Sequence, residues 1–516
     1  MHAKVFSATT VGVHAQLVEV EVDISFGLVH FYIVGLPDTA IKESSKRILA
    51  ALKNCGFALP AKKITVNLAP ADLKKEGTLF DLPIAIGILQ AMGHLSIEQS
   101  FIQETLFLGE LSLDGAIRSI KGALPITYDA QQLGKKRIIL PHANGPEASL
   151  IQDVEVIGIT HLTDLIAYLR HEKSITPTPN SIAVLTKKIS KQKLDYAQVK
   201  GQVQAKRALQ IAAAGRHNIL FIGPPGAGKT MLAKRLPSIM PHMSFTEILE
   251  TTKIYSVSGK LDNGPLMVER PFRSPHHSIS QAGLIGGGTY PQPGEISLAH
   301  HGILFLDELT EFKRDTLEAL RQPLENKAVS IARVHQSVTF PSSLLLVVAL
   351  NPCPCGFLGD KKRTCYCSKQ QISRYLSKLS GPLLDRIDLQ INVQSIEYDA
   401  ITTASQSEYS SCAMYQTVQR ALIAQQSRFN TETKYNNDMA PDEVATFCTL
   451  TQAGKEVMQQ AFNKLNLSMR GYHKIMKVAR TIADFEQAEH IDVQHIQEAI
   501  MYRSLDRYLE QQRTSY

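Results

Sequence analysis

The sequence predicts an α/β fold in the middle of the chain, preceded by an α+β domain and followed by a helical one. Three observations predict it. The apolar run 218–222 passes through Gly223, Pro224, Pro225, Gly226, Ala227, Gly228, Lys229 and Thr230 into a helical pattern over 231–236. A second apolar run, Ile303–Leu306, ends in the paired acids Asp307 and Glu308. Outside these runs the apolar period is two over 16–23 and becomes helical from Val418 onward.

The glycine-rich stretch is G-x-x-x-x-G-K-T between an apolar strand and a helix, the context in which this pattern cradles phosphates. Glycines let successive backbone N–H groups turn toward one anion, and the helix N-terminus adds partial positive charge. Lys229 then reaches the β- and γ-phosphates and the Thr230 hydroxyl reaches Mg²⁺, so ATP and Mg²⁺ are the expected cofactors. A plain glycine turn is the bland alternative, and the full pattern in its context weighs against it. In the second run Asp307 is expected to hold the Mg²⁺ shell, while Glu308 takes a proton from the attacking water. Acids that merely satisfy a turn would look similar, but the accompanying phosphate loop makes that reading the poorer one.

A chain of 516 residues, 44% hydrophobic, is long enough for three domains of ordinary size. No apolar run is long enough to span a bilayer, and the first ten residues lack the apolar stretch of a secretory signal, so no membrane partner and a cytoplasmic location are expected. A net charge of +7 is too dilute over this length to establish a polyanionic partner. Alternation over 16–23 and 28–34 reads as two half-buried strands, after which Asp38 opens a helix with Ile41, Ile48 and Leu52 on one face. A Pro/Thr/Ser cluster over 174–181 marks a domain boundary. The expected division is 1–172, an α+β domain; 173–194, a linker; 195–395, the α/β core; and 396–516, a helical lid. Basic residues crowd 187–207, as a solvated hinge or a nucleic-acid contact would have them.

Between the phosphate loop and the paired acids, 270–295 is rich in Gly and Pro and reads as a functional or mobile loop. His276 and His277 are adjacent there, a spacing that favours hydrogen bonding over a shared metal ion. The stretch 327–339 has the pattern of a hairpin with a basic tip, and a buried strand follows it, ending at Asn351. Of seven cysteines, Cys353, Cys355, Cys365 and Cys367 fall within an insertion at 353–367. Four thiolates would close a tetrahedral Zn²⁺ site; the C-x-C spacing is tight for zinc, and free thiols are the alternative. Lysines and arginines are dense around this insertion, as they would be on a phosphate-binding surface or on a solvated loop.

Several stretches carry family resemblances. The segments 108–123 and 137–144 resemble the proteolytic domain of Lon. Where that family has its serine and lysine, this chain has 75–81, with Thr78, and a helix bearing Thr127. The fold is therefore expected without the peptidase, the alternative being a catalytic role for one of the threonines. The segment ending in Gln202 resembles the one packed beside adenine in AAA+ ATPases. By the same likeness Asn351 is a water-positioning sensor, Arg386 in 380–389 is a finger for a neighbour's γ-phosphate, and Arg470 is a second sensor. The alternatives are a pairing of Arg386 with Asp385 or Asp388, and of Arg470 with solvent. Together with 270–277, 351–356 and 479–483, these stretches resemble the ComM/YifB family of magnesium-chelatase-like AAA+ proteins over nearly the whole chain. That resemblance implies a homo-hexameric ring helicase promoting branch migration during natural transformation. Single-stranded or branched DNA would pass Lys327, Arg333 and His335 in the pore, and a recombinase or other recombination proteins are possible partners. A chelatase-type motor and a protein remodeller without DNA activity are the competing readings.

Overall fold

The computed structural model describes residues 1–28, 30–58, 62–180, 194–261, 264, 266–288, 291–333, 336–360, 362–395 and 409–503. It has two compact units, Met1–Ile189 with Leu249–Val268, and Ser190–Ile248 with Glu269–Tyr516. The stretch 249–268, which follows the phosphate loop in sequence, thus groups with the first unit.

In the first unit a four-stranded sheet runs in the order His2–Val11, His14–Ser25, Lys63–Ala69, Phe31–Val34. Val18, Val20, Val22 and Ile24 are buried on one face of the second strand, and the residues between them are more exposed, as the alternation requires. Among the described residues of the expected 28–34 strand, Phe31–Val34 pairs in parallel with 64–67, His30 O accepts from Ile64 N–H at 2.8 Å, and Leu28 is exposed. The helix Thr39–Asn54 starts where Asp38 Oδ1 accepts the Ile41 N–H at 2.8 Å, and Ile41, Ile48 and Leu52 are buried beneath it. Thr127 lies buried inside the helix Ala123–Gln132, its hydroxyl donating to Ala123 O at 2.8 Å. The Thr78 hydroxyl donates to Glu110, which pairs with Arg118 at 3.8 Å.

The second unit is built on a parallel sheet in the order Phe272–Arg273, Ile303–Leu306, Leu345–Leu350, Ile219–Ile222, Leu389–Asn392. The middle three strands are buried at every position, the pattern of strands covered on both faces. Asn218 locks the entry to the phosphate loop: its side chain donates to Arg386 O at 3.0 Å and accepts from Leu346 N at 2.9 Å, while its N–H donates to Asp388 at 2.9 Å. The helices Ser411–Phe429, Gln452–Leu465, Met469–Phe485 and Val493–Met501 follow, in the region where a helical pattern was expected. Within the basic run, Lys206 is buried and donates to Val199 O at 2.6 Å, and Arg207 pairs with Glu498 at 3.0 Å; both serve the unit's own packing.

His217 is fully buried, with Nε2 2.8 Å from Thr481 Oγ1, and burial pushes its pKa down from 6.5 to about 4. Below about pH 6.5 the unfolded chain takes up a proton that the folded one refuses, so stability falls as pH drops from about 6.5 toward 4, by about 1.4 kcal/mol per unit. His217→Gln removes this dependence. The stability gap between wild type and variant is expected to narrow on going from pH 7 to pH 5 in denaturant titrations; parallel curves would assign the titration elsewhere.

Candidate active site

The fully buried strand Ile219–Ile222 delivers the chain to the glycine loop. Gly226 (φ +79°) and Gly228 (φ +91°) occupy left-handed backbone that a side chain would strain, and the helix Lys229–Lys234 follows. Lys229 Nζ donates to Gly223 O at 2.6 Å, to Pro224 O at 2.9 Å and to Asn351 Oδ1 at 3.0 Å. Burial pulls its pKa down, with Asp307 and Glu308 opposing. The Thr230 hydroxyl donates to Asp307 Oδ2 at 2.6 Å, joining the loop to the acids at the end of Ile303–Leu306. Glu308 stands in left-handed backbone (φ +51°), its side chain 58% exposed and 3.7 Å from His277 Nδ1. Glu308 and Asn351 share a cavity of about 520 Å³ with Arg374, Tyr375 and Lys378. Gln202 Nε2 donates to Ala227 O at 3.2 Å and to Gln394 O at 2.8 Å, tying the segment before the helix Val203–Gly215 to the loop.

This arrangement has the parts for phosphoryl transfer: a lysine and backbone amides for phosphate, a hydroxyl and a carboxylate that can share a divalent cation, and a freer carboxylate beside a polar amide for water.

The two arginines form a second group. Arg386, only 9% exposed, donates from Nη2 to Glu325 at 2.5 Å and from Nη1 to Pro382 O at 2.6 Å. The carboxylates nearest in sequence are not its partners: Asp388 is taken by Lys474 at 2.9 Å and by the Asn218 N–H. Arg470 opens the helix Met469–Phe485, capped by Ser468; its side chain is 44% exposed and pairs with the same Glu325 at 3.4 Å and with Asp385 at 3.3 Å. Arg321, Glu325, Arg333 and Arg386 line a cavity of about 720 Å³. The bonds named for each group stay within that group.

Ala328–Arg333 and Gln336–Pro341 form the expected hairpin. Arg333 is at its turn end, donating to Gly288 O at 3.2 Å. Lys327 stands at the other end, in left-handed backbone at the close of the helix Arg321–Asn326, and pairs with Asp438. His335 lies outside the described residues. His276 bonds Ser278 at 2.8 Å, a hydrogen-bonding role. Glu325 was not singled out in the sequence, and no local spacing could have marked it, because its partner is 61 residues away. His277 was visible only as one of a histidine pair; its approach to Glu308 depends on the fold.

The sulfurs of Cys353, Cys355 and Cys365 lie 3.3 to 3.6 Å apart, and with Cys367 the four fall within 4.8 Å of one another. Such a cluster can hold a metal ion.

Residues 195–401 match the family described as magnesium chelatase, subunit ChlI; residues 20–144 match subunit ChlI of Mg-chelatase, and 408–503 match the C-terminal part of that subunit. The chain is 43% identical over 510 residues to the competence protein ComM of Haemophilus influenzae, covering 98% of each chain. It is 41% identical over 506 residues to the protein YifB of Escherichia coli, covering 98% of this chain and 97% of that one. Over 156 residues it is 30% identical to Lon protease 2 of Bacillus subtilis, which spans 28% of this chain and 27% of the relative. Among the described residues no helix is long and apolar enough to cross a membrane.

Proposed function

We propose that this chain, which belongs to the ComM/YifB family of magnesium-chelatase-like AAA+ proteins, is a Mg²⁺-dependent ATPase that drives branch migration of DNA. The paired contacts Lys229–Asn351 and Thr230–Asp307 carry the ATPase reading, because they bring phosphate loop, acids and sensor to one place. In this reading 223–230 and Gln202 hold the nucleotide, Thr230 and Asp307 the Mg²⁺, and Glu308 activates the water that Asn351 orients. Arg386 and Arg470 complete a neighbour's site, so the working form is a homo-hexameric ring. Zn²⁺ is assigned to the four clustered cysteines. The DNA reading draws support from the relative named as a competence protein, and places the work in recombination of incoming DNA, in the cytoplasm and beside other recombination proteins. Arg333 is the described residue of the hairpin best placed to touch a strand.

The purified chain is expected to hydrolyse ATP faster with forked or three-stranded DNA and to move the branch. Arg333→Ala should slow branch movement more than DNA-independent turnover. Hydrolysis with neither DNA binding nor strand displacement would remove the helicase reading in favour of a chelatase-type or remodelling motor, a reading that the match to magnesium chelatase keeps in view.

A further inference from the structure

The cysteine insertion departs from the buried strand Leu345–Leu350 at Asn351 and returns at Ser368, which caps the helix Lys369–Leu376. No helix or strand is described between those points. Cys353 is buried, while Cys355, Cys365 and Cys367 are partly exposed and Tyr366 is 89% exposed. A stretch so polar has no core to order it. Its sulfurs nevertheless converge, and the Cys367 N–H points at Cys365 Sγ at 3.5 Å. Four thiolates around Zn²⁺, with bonds of about 2.3 Å, stand about 3.8 Å apart, close to the spacing found.

The same knuckle is packed on the phosphate loop. A Cβ built on Gly356 would fall 2.6 Å from Pro225 Cδ and 3.8 Å from Asn351 Cγ, so the knuckle backbone sits at van der Waals range from the loop. Gly359 and Asp360 line a cleft with Gly223 and Pro224, and Asp360 accepts from Ser395 at 3.2 Å, close after the strand Leu389–Asn392. Pro354 borders the cavity that holds Glu308 and Asn351. The knuckle therefore touches both the nucleotide cradle and the water site, through backbone that carries the converging sulfurs.

We propose that the four cysteines bind one Zn²⁺ and that the metal-ordered knuckle braces Pro225, so that nucleotide affinity depends on the metal. The inference rests on the ATPase reading of 223–230. Loss of zinc frees the backbone around Gly356, and the phosphate loop loses one wall.

The test uses the full chain, freed of any affinity tag, with metal analysis and titration of a fluorescent ATP analogue. About one zinc per chain is expected. Cys365→Ser/Cys367→Ser should lose the metal and bind the analogue roughly tenfold more weakly. Gly356→Ala should keep the zinc, which reports a folded knuckle, and still lose roughly tenfold, because its methyl group presses on Pro225 and strains the left-handed backbone (φ +84°) that faces the loop. Wild-type affinity in the zinc-free protein or in Gly356→Ala overturns the coupling, and zinc-free wild type overturns the metal site. Failure of zinc-loaded wild type to bind the analogue at all is a different result, which overturns the ATPase reading itself.

Discussion

Glu308→Gln is expected to cut ATP turnover by about 10²–10⁴-fold, the size of a lost general base, while the nucleotide stays bound. The two acids are adjacent in sequence and differ in surroundings. Asp307 is engaged, accepting from Thr230 at 2.6 Å and from the Glu308 N–H at 3.0 Å, as a group that shares a cation should be. Glu308 is turned away by its left-handed backbone into the cavity with Asn351, where a water has room and a proton acceptor is within reach. Replacing its carboxylate with an amide keeps size and hydrogen bonding and removes basicity alone. Asp307→Asn should behave differently, weakening Mg²⁺-dependent binding of nucleotide along with turnover. Phosphate release and equilibrium binding, measured side by side, separate the two. If Glu308→Gln turns over at the wild-type rate, the base is another group.

What the sequence discloses here divides by range. The Asp38 cap, the Ile41–Ile48–Leu52 face and the alternation around Val18–Val22 are local signals, each complete within a turn or a few strand residues, and all are found as read. The glycine loop is local too, since its left-handed positions at Gly226 and Gly228 are demanded by its own backbone. That Thr230 and Asp307 serve one cation follows from the two motifs, and the place of Asn351 beside them from a family likeness; neither follows from spacing, because sheet order alone brings those strands together. Glu325 was out of reach for the same reason: a carboxylate in a short helix carries no mark of the arginines it will meet. Sequence proximity also misdirects, as with Asp385 and Asp388, which stand beside Arg386 in the chain and bond to other groups. The inclusion of 249–268 in the first unit is another long-range outcome, invisible to composition and period.

Arg386→Ala is expected to lower ATP turnover by about 10³–10⁵-fold with nucleotide binding retained, the effect of removing a guanidinium from the transferring phosphate. Within one chain Arg386 is held by Glu325 and by Pro382 O, and its bonds do not reach the group around Lys229. The Glu325 side chain is 54% exposed and lies on the wall of the 720 Å³ cavity, so the anion holding Arg386 is reachable from outside. A phosphate arriving from a neighbour offers the same guanidinium a second anion of suitable geometry. A purely structural ion pair would act through stability instead, and its loss would lower the unfolding midpoint without a selective fall in turnover. Mixing variants decides between a finger acting within one chain and one acting across an interface. Lys229→Ala and Arg386→Ala chains are each inactive alone. Assembled at equal amounts into a head-to-tail ring, they should recover roughly a quarter of wild-type turnover, because a site is whole when one chain supplies Lys229 and its neighbour supplies Arg386. A finger that acts within its own chain gives no recovery, since every intact Lys229 then shares a chain with the missing arginine.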